Sequence, residues 1–480
     1  MPARKTTNFS LVTGDDSTNY ICYGNTMMDV ATDVIREKHN IPAVMGAKDG
    51  IVIGEIRNDL HPNLPHGLDK VNAPTIIITN QSLIYGIDNP NIVAVLAYPE
   101  SSGGFSHIST LMKNQTDLFG IVVNPAKLHE LESLKGKKVK LQLKDGQLYF
   151  EETKECGKPR DVSPIKVPQL KYCDRVLSSE ECTPDVIGGK AVNLHRLEVM
   201  AKEGKIDAVI PKFMALPPGY LKEFSMDEWE LACQRRDNEM RNKIFDNFDK
   251  YYLKEGRLSE LLEILKANGI GKNGLMVRSC FNDEDRPNLS NAGVYYSIAI
   301  PKPEIDVLDL FETIETVVGS KYTQSGKAIR KYYGIPDKEV QPGVVLQDRI
   351  STHNYFTIYT DDGNGNLKID FRTITTEQKD PILCPHIYTY NKETGKLTYQ
   401  TKQAKRRVGA NFDGKCRLMY SDPVEVDLTG DNELNARLKK AIDNALAVEK
   451  EFGRPQDIEG GFDDEGILYF WQSRNIVGLN

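Results

Sequence analysis

The stretch Val277-Arg278-Ser279-Cys280-Phe281-Asn282-Asp283-Glu284-Asp285 organises the second half of this chain. The apolar run 275–277 leads directly into Arg278, and the polar loop that follows ends at Gly293. An arginine at the end of a buried strand is either paired with a carboxylate or aimed at an anion, because burying an unpaired charge is costly. Considered alone, the stretch favours the first alternative, an ion pair between Arg278 and a carboxylate of 283–285.

The composition is that of an ordinary globular protein. The chain has 480 residues, which allows two to four domains, and 27% of them are charged and 40% hydrophobic. The formal net charge of −7 argues against a general nucleic-acid binder or a partner of anionic membranes. No run of 18 apolar residues is present and residues 1–5 precede no apolar stretch, so neither a transmembrane span nor a secretory signal is expected.

The cysteines and histidines indicate no metal centre. The eight cysteines are scattered and form no Cys-x-x-Cys pair, which argues against a zinc site and against a disulfide framework. The eight histidines include no pair at metal-binding spacing. Reduced thiols are typical of the cytosol, so we expect a cytoplasmic protein.

The order of apolar runs and turns divides the chain into four parts, and the expected fold class is an α/β and α+β multidomain protein. Residues 1–44 have no assigned role, although the segment 27–38 has helical spacing. Residues 45–152 carry short strands with turns between them and predict one compact α/β domain. Residues 153–180, with Lys, Pro and little periodicity, predict a linker, and residues 181–480 predict a second, larger domain.

Local patterns predict particular elements. The run 75–79 is β-branched and apolar on both faces, which is typical of a central buried strand. Asp145-Gly146 between two alternating runs is a strong hairpin signal. In the larger domain, helices are predicted from Trp229 to Tyr252, from Leu258 to Ala267, over 304–333 and over 432–452, with further β-structure between 352 and 405.

One candidate nucleophile follows a pair of glycines. In Gly103-Gly104-Phe105-Ser106-His107 the histidine opens a helical stretch at 108–115. A helix N-terminus disfavours the charged imidazole, so His107 would remain a neutral nucleophile or base at pH 7, and the glycines would let another molecule approach closely. The alternative is a surface histidine capped by Ser106.

A candidate phosphate ligand also follows a pair of glycines. Gly188-Gly189-Lys190 stands at the start of a predicted helix, where a lysine can reach polyphosphate oxygens. The motif is weak, because it lacks the longer glycine-rich loop of the P-loop enzymes. The alternative is an exposed lysine in a first helical turn.

A third group of polar residues lies on a predicted C-terminal hairpin. Gln472 and Arg474 are two residues apart on one strand and therefore face the same side, where Glu459 of the other strand can meet them. A carboxylate, an amide oxygen and a guanidinium on one face suit a magnesium–phosphate site. The alternative is a cross-strand ion pair between Glu459 and Arg474.

These motifs together resemble a known family. Residues 184–480 resemble the ATP-grasp-type nucleotide-binding domain of phosphoenolpyruvate synthase and pyruvate phosphate dikinase, and residues 45–152 resemble the family's small swivelling α/β phosphohistidine domain. In residues 45–152 the segment that carries the resemblance is Gly103–His107, which matches the phosphohistidine signature. In residues 184–480 the matching segments occur in the family's order: Gly188–Ala191, Leu216–Tyr220, Val277–Ser279 with Glu284-Asp285 and Ala292-Gly293, Val345–Gln347, Asp457–Glu459 and Gln472–Arg474.

The resemblance implies an ATP-dependent dikinase that uses ATP and Mg²⁺. Lys190, Arg278 and Gln347 would bind the nucleotide. Glu459 and Gln472 would hold magnesium in the same nucleotide site, and Arg474 would bind phosphate. His107 would swing in and take the β-phosphate, so that AMP and phosphate are released, and would then pass the phosphoryl group to an acceptor, with Arg278 as the second catalytic residue.

The chain departs from the family's pattern in four respects. The histidine domain comes first, as in the glucan, water dikinases, and neither the barrel domain for pyruvate nor the helical acceptor domain of rifampin phosphotransferases is recognisable. The glycine-rich segment after the central strand is replaced by the β-structure of 352–405. The hairpin between Glu459 and Gln472 is one residue longer than the family's pattern.

Three functions are compatible with these motifs. The first is a dikinase with phospho-His107 and an unidentified acceptor, which could be a small molecule, a glycan or a protein. The second is a phosphocarrier or regulatory protein without a dedicated small-molecule acceptor. The third is a homologue that binds nucleotide without catalysis, which is disfavoured because all the motif residues are present together.

Overall fold

A computed structural model describes the fold over residues 44–45, 49–60, 68, 71–79, 89–97, 118–122, 125–144, 146–161, 164–221, 256–286, 289, 291, 293–352, 354–362, 365–373, 386–406, 416–420, 424–428 and 433–476. His107 and its glycines lie outside these residues, as do the helices expected at 27–38, at 108–115 and from Trp229 to Tyr252. The described residues form three β-sheets and six α-helices, of which none is long and apolar enough to cross a membrane.

The first sheet has seven strands in the order β1-β5-β4-β3-β2-β6-β7. They are β1 Val44–Met45, β2 Gly50–Arg57, β3 Thr75–Thr79, β4 Ile92–Ala97, β5 Leu118–Val122, β6 Lys138–Lys144 and β7 Gln147–Glu152, and helix α1 covers Pro125–Ser133. The central position of β3 is confirmed, since it pairs in parallel with β2 and β4 and all five of its residues are buried. The predicted hairpin is the antiparallel pair β6–β7, with Gly146 at φ +73° in the turn.

The second sheet is antiparallel, with five strands in the order β11-β10-β12-β9-β8. The strands are β8 Leu177–Ser178, β9 Phe213–Leu216, β10 Leu275–Ser279, β11 Ser297–Ile300 and β12 Val344–Asp348. Its helices are α2 Gly189–Lys202, α3 Arg257–Ala267, α4 Val307–Gly319 and α5 Gln324–Tyr332. The helical region expected at 304–333 is therefore two helices, because Thr323 ends the first run and caps α5 by accepting from the Gly326 N–H.

The two faces of the second sheet have different partners. Alternate residues such as Leu275 and Val277 pack against the apolar faces of α3 and α4. The intervening positions face α2, where Ala215 and Val345 pack against its apolar residues. Since Arg278 pairs with Val345 in the strand register, the arginine lies on the α2 side of the sheet.

The third sheet contains the C-terminal hairpin. Its order is β17-β16-β15-β14-β13-β19-β20, with β18 paired to β16. The strands are β13 Asn354–Tyr359, β14 Asn366–Thr373, β15 His386–Asn391, β16 Leu397–Arg406, β17 Cys416–Tyr420, β18 Val424–Val426, β19 Gln456–Phe462 and β20 Leu468–Asn475, and helix α6 spans Glu433–Phe452. The β-structure expected within 352–405 is confirmed, and it continues the sheet of the hairpin because β13 pairs with β19.

A β-bulge interrupts the pairing of the C-terminal hairpin. Glu459 stands opposite Gln472 and Gly460 stands opposite Phe470, so Trp471 is the unmatched residue of β20. Cross-strand partners share a face and neighbouring residues on a strand do not. Phe470 therefore joins the core beneath α6, whereas Gln472 lies on the opposite face of the sheet with Glu459.

The segment expected to be a linker contacts both halves of the described chain. Arg160 donates from Nε to the Ile92 carbonyl at 2.5 Å, at the first sheet. Ten residues later, the Leu170 N–H donates to Gln341 Oε1 at 2.7 Å, beside the second sheet. Two parts of the segment, at Arg160 and at Leu170, therefore contact different sheets.

Candidate functional site

The glycine pair before Lys190 allows a very close approach of two backbones. A Cβ added to Gly188 would lie 2.3 Å from the Cys280 carbonyl oxygen, and one added to Gly189 would lie 2.3 Å from the Asp285 carbonyl oxygen. No other residue type fits there without displacing the loop after β10. The glycines thus bring the first turn of α2 against that loop and carry Lys190 into the protein interior.

Lys190 is only 4% exposed, which excludes the alternative of an exposed first-turn lysine. Its Nζ donates to the Ser279 carbonyl at 2.8 Å and to Glu284 Oε1 at 3.0 Å. Glu284 also accepts from Ser279 Oγ at 2.8 Å and from the Phe281 N–H at 3.2 Å. Lys190 therefore ends beside the last residue of β10, with its charge balanced by Glu284.

Arg278 is paired, but its partner is not one of the carboxylates of 283–285 that the sequence suggested. Its Nη1 donates to Gln472 Oε1 at 2.9 Å and lies 3.7 Å from Glu459 Oε2, both on the third sheet. The nearby Glu284 turns back to Lys190 instead. Arg278 is 6% exposed, burial lowers its pKa, and its Nε has no hydrogen-bond partner among the described residues.

Arg474 is held by two carboxylates of the adjacent strand. Its Nε donates to Asp457 Oδ2 at 2.7 Å and its Nη2 donates to Glu459 Oε1 at 3.3 Å. The expected cross-strand pair with Glu459 is present, although Asp457 is the residue directly opposite. Burial disfavours the charged guanidinium, but the two carboxylates outweigh it and raise the pKa of Arg474.

Gln347 places a buried amide on the same sheet face as Arg278. The residue is 1% exposed, and neither Oε1 nor Nε2 has a hydrogen-bond partner among the described residues. Gln347 is two residues beyond Val345, the partner of Arg278, and so shares its face of the second sheet. A buried amide normally finds partners, so an unpaired one beside a charged cluster indicates a position for a ligand.

The loop after β10 adds two buried carboxylates. Burial raises the pKa of Asp285 to about 7, although Lys190 opposes the shift. Burial likewise raises the pKa of Asp283 to about 6, against a hydrogen bond that its Oδ2 accepts from the Tyr295 hydroxyl at 2.5 Å. Asp285 adopts φ +49°, a conformation that most residues avoid, so the surrounding contacts hold the backbone of this loop in a strained conformation.

The site thus combines residues from two sheets. The second sheet and its helix provide Lys190, Arg278 and Gln347, while β19 and β20 provide Glu459, Gln472 and Arg474. The Arg278–Gln472 bond joins the two sets across 194 residues of sequence. Asp457 is a further residue of the site that the sequence motifs did not predict; its signal is the spacing of two residues from Glu459, which places both on one strand face.

The predicted magnesium ligands provide two oxygen donors. Glu459 and Gln472 are direct cross-strand partners, so one carboxylate and one amide oxygen face the same side. Within the described part of the chain, no group of three or more His, Cys, Asp or Glu residues could hold a metal ion. The donor set fits Mg²⁺ only where phosphate and water complete the coordination, as is usual for this ion.

Comparisons with known proteins identify a family for the part of the chain that contains this cluster. Residues 184–480 match the family model described as pyruvate phosphate dikinase, AMP/ATP-binding domain, which covers more than half of the chain. A rifampicin phosphotransferase from Streptomyces sviceus is 27% identical over 218 residues, which are 42% of this chain and 23% of that protein. This chain therefore aligns with about a quarter of the length of that relative.

Two solved structures have a weak likeness to this chain. The macrocyclase MdnC from Microcystis aeruginosa, bound with the precursor peptide MdnA, has a TM-score of 0.21 and 11% identity, with 60% of this chain and 54% of that chain covered. The D-alanine-D-alanine ligase from Coxiella burnetii has a TM-score of 0.22 and 11% identity, with 62% and 52% covered. At these scores neither structure establishes a shared fold.

Proposed function

Because this chain belongs to the pyruvate phosphate dikinase AMP/ATP-binding domain family, we propose that it is an ATP-dependent phosphotransferase with its nucleotide site at the Lys190–Arg278–Arg474 cluster. The observation that carries the proposal is a cluster of three buried cations around Glu459 and Gln472, beside a sheet face on which the buried amide of Gln347 has no partner among the described residues. A purely structural set of ion pairs would not need a buried amide with two unsatisfied atoms.

The contacts suggest a role for each residue. Arg278 binds a phosphate oxygen through Nε, which has no partner among the described residues. Lys190 uses all three of its donors in the free protein, so it binds phosphate by giving up its longest bond, which runs to Ser279 Oγ at 3.3 Å. The amide of Gln347, which can both donate and accept, binds a polar edge of the nucleotide. Arg474 stays oriented by Asp457 and meets phosphate with its outer nitrogens.

Charge balance favours magnesium as a companion of ATP in this proposal. Lys190, Arg278 and Arg474 are already matched by the carboxylates of Glu284, Glu459 and Asp457. A nucleoside triphosphate would bring about four negative charges into this nearly neutral, buried cluster, where uncompensated charge raises the free energy. Mg²⁺ held between Glu459, Gln472 and the phosphates would offset part of that charge.

The proposed reaction is of the dikinase type. The β-phosphorus of ATP is transferred to a ring nitrogen of His107, AMP leaves with the α-phosphate, and water takes up the γ-phosphoryl group as inorganic phosphate. The phosphoryl group then passes from His107 to an acceptor. The sequence motif Gly103–His107 and the family membership of residues 184–480 support this mechanism.

The site assignment is tested by calorimetric titration of the full chain with MgATP. Lys190→Met removes the buried ammonium and should weaken binding by about tenfold to a hundredfold, since a hydrogen bond to a charged group contributes roughly 1.5–3 kcal/mol. Lys202→Met, at the other end of the same helix with a side chain 55% exposed, is the matched control and should bind as the wild type does. Equal affinities for the wild type and a folded Lys190→Met variant would refute the assignment.

A further inference from the structure

An open cavity lies on the face of the third sheet that α6 covers. It has a volume of about 480 Å³ and lies between the first turns of α6 and the strands β14–β16. Its floor consists of Phe371, His386, Tyr388 and Tyr399. The strand register explains the grouping: Phe371 pairs with His386 and Tyr388 pairs with Tyr399, so all four side chains share one face.

The cavity is separate from the nucleotide cluster. Phe371 and Tyr388 belong to the core beneath α6, together with Ile458. Glu459 is the next residue on β19 and therefore faces the opposite side of the sheet. A molecule in the cavity and a nucleotide at Glu459 would be separated by the sheet itself.

The floor of the cavity is a set of rings in fixed mutual contact. The rings of His386 and Tyr399 are stacked, with 5.6 Å between their centroids and an angle of 26° between their planes. His386 Nδ1 lies 2.7 Å from the Tyr399 hydroxyl oxygen. The ring centroid of Tyr388 lies 5.1 Å from that of Tyr399 and 6.3 Å from that of Phe371, which it meets edge to face. Such an ordered aromatic surface can accept a flat ring at little cost in side-chain entropy.

The rim of the cavity carries little net charge. Arg437 forms an ion pair with Glu433, one turn earlier on α6, and both line the cavity. Arg437 Nε is buried and has no hydrogen-bond partner among the described residues, so one donor is left for an acceptor atom. Burial lowers the pKa of His386 and keeps its ring neutral at pH 7. These features favour a neutral ligand over an ion.

The size of the cavity is that of a ligand site. A volume of about 480 Å³ falls within the range of roughly 300–1,000 Å³ that is typical of small-molecule pockets. We propose that this cavity binds a neutral, flat compound of one or two fused aromatic rings that carries a hydrogen-bond acceptor, at a site independent of the nucleotide.

The proposal is tested with 2-naphthol as the probe and the full chain in solution. Saturation-transfer NMR titration should show that 2-naphthol binds about tenfold more tightly than its saturated counterpart decahydro-2-naphthol, because only the flat ring can stack on Tyr388 and Tyr399. Excess MgATP should leave this affinity unchanged. Equal binding of the saturated alcohol, or displacement of the probe by MgATP, would overturn the proposal.

Variants distinguish the cavity from general surface binding. Tyr399→Leu removes the central ring and should weaken 2-naphthol binding about tenfold, whereas Tyr149→Leu, at a tyrosine 57% exposed on β7, is the matched control and should have no effect. Leu434→Trp places a large ring at the rim, where Leu434 is 42% exposed, and should block binding without disturbing the core. If a Leu434→Trp variant with wild-type thermal stability binds 2-naphthol normally, the probe does not occupy this cavity.

Discussion

Replacing Gln347 by methionine should stabilise the protein and weaken its binding of ATP. Methionine has nearly the same length as glutamine and can fill the same space. The amide it replaces is 1% exposed, and neither of its polar atoms has a partner in the part of the chain that the structure describes. Burying an amide without hydrogen bonds costs about 1–3 kcal/mol in protein mutational data, so Gln347→Met should raise the free energy of unfolding by that amount.

The same substitution removes the hydrogen bonds that the amide would make to the nucleotide. One or two neutral hydrogen bonds contribute about 0.5–1.5 kcal/mol each, so the dissociation constant of MgATP should rise by about tenfold. Urea titrations measure the first effect and calorimetry the second. An increase in stability with a loss of affinity is the combination expected of a residue whose polar group is kept for a ligand.

Gln456→Met is the matched control. Gln456 is equally buried, but its Nε2 donates to Asn475 Oδ1 at 2.8 Å and its Oε1 accepts from Ser473 Oγ at 2.9 Å. Methionine leaves those partners unpaired and should lower the free energy of unfolding by about 1–3 kcal/mol. If Gln347→Met destabilises the protein as much as Gln456→Met does, the amide of Gln347 has partners in the free protein and the reasoning fails.

Three further predictions concern the surroundings of the site. Lys190→Met should lower the free energy of unfolding by about 3–5 kcal/mol because it leaves the charge of Glu284 buried without a cation, and adding Glu284→Gln should recover most of the loss in urea titrations. Burial raises the pKa of Asp283 from 3.8 to about 6, so the stability that its protonated form provides is complete below pH 4 and is lost as the pH rises to about 6, where the buried carboxyl ionises. Asp283→Asn removes this ionisation and should raise the free energy of unfolding by up to about 3 kcal/mol at pH 7 and by little at pH 4. Equal effects of the substitution at both pH values would contradict this reasoning. Deleting Trp471 removes the bulge but keeps Gln472 opposite Glu459, so MgATP binding measured by calorimetry should persist, whereas deleting Ser473 turns Arg474 away from Asp457 and should abolish it.

Local patterns predicted most of the elements that the structure describes. The continuous apolar run of β3 and the turn at Gly146 are determined by neighbouring residues, and both predictions are confirmed. The pairing of β13 with β19 could not be predicted in this way, because about 100 residues separate the partners Thr357 and Glu459. Periodicity shows which face of a strand is buried but not which strand it pairs with.

The same limit applies to the site. Lys190 and Arg278 could be identified from their motifs, but nearness in sequence suggested the wrong carboxylate for Arg278. Ser279 and the Phe281 N–H turn Glu284 towards Lys190, and Arg278 finds its partners on a different sheet. The amide of Gln347, which has no partner among the described residues, is a property of the packed interior and has no signature in the sequence. The role of His107 stays a prediction, since it lies outside the described residues.

The most direct test of the proposed function follows the two outer phosphates of ATP separately. The full chain is incubated with ATP labelled in the β- or the γ-phosphate, and the protein and the nucleotide products are analysed under alkaline and acidic conditions. The account predicts acid-labile label on the protein from the β-phosphate, its loss in His107→Ala, and AMP with inorganic phosphate as products. Formation of ADP, or undiminished labelling of His107→Ala, would contradict it.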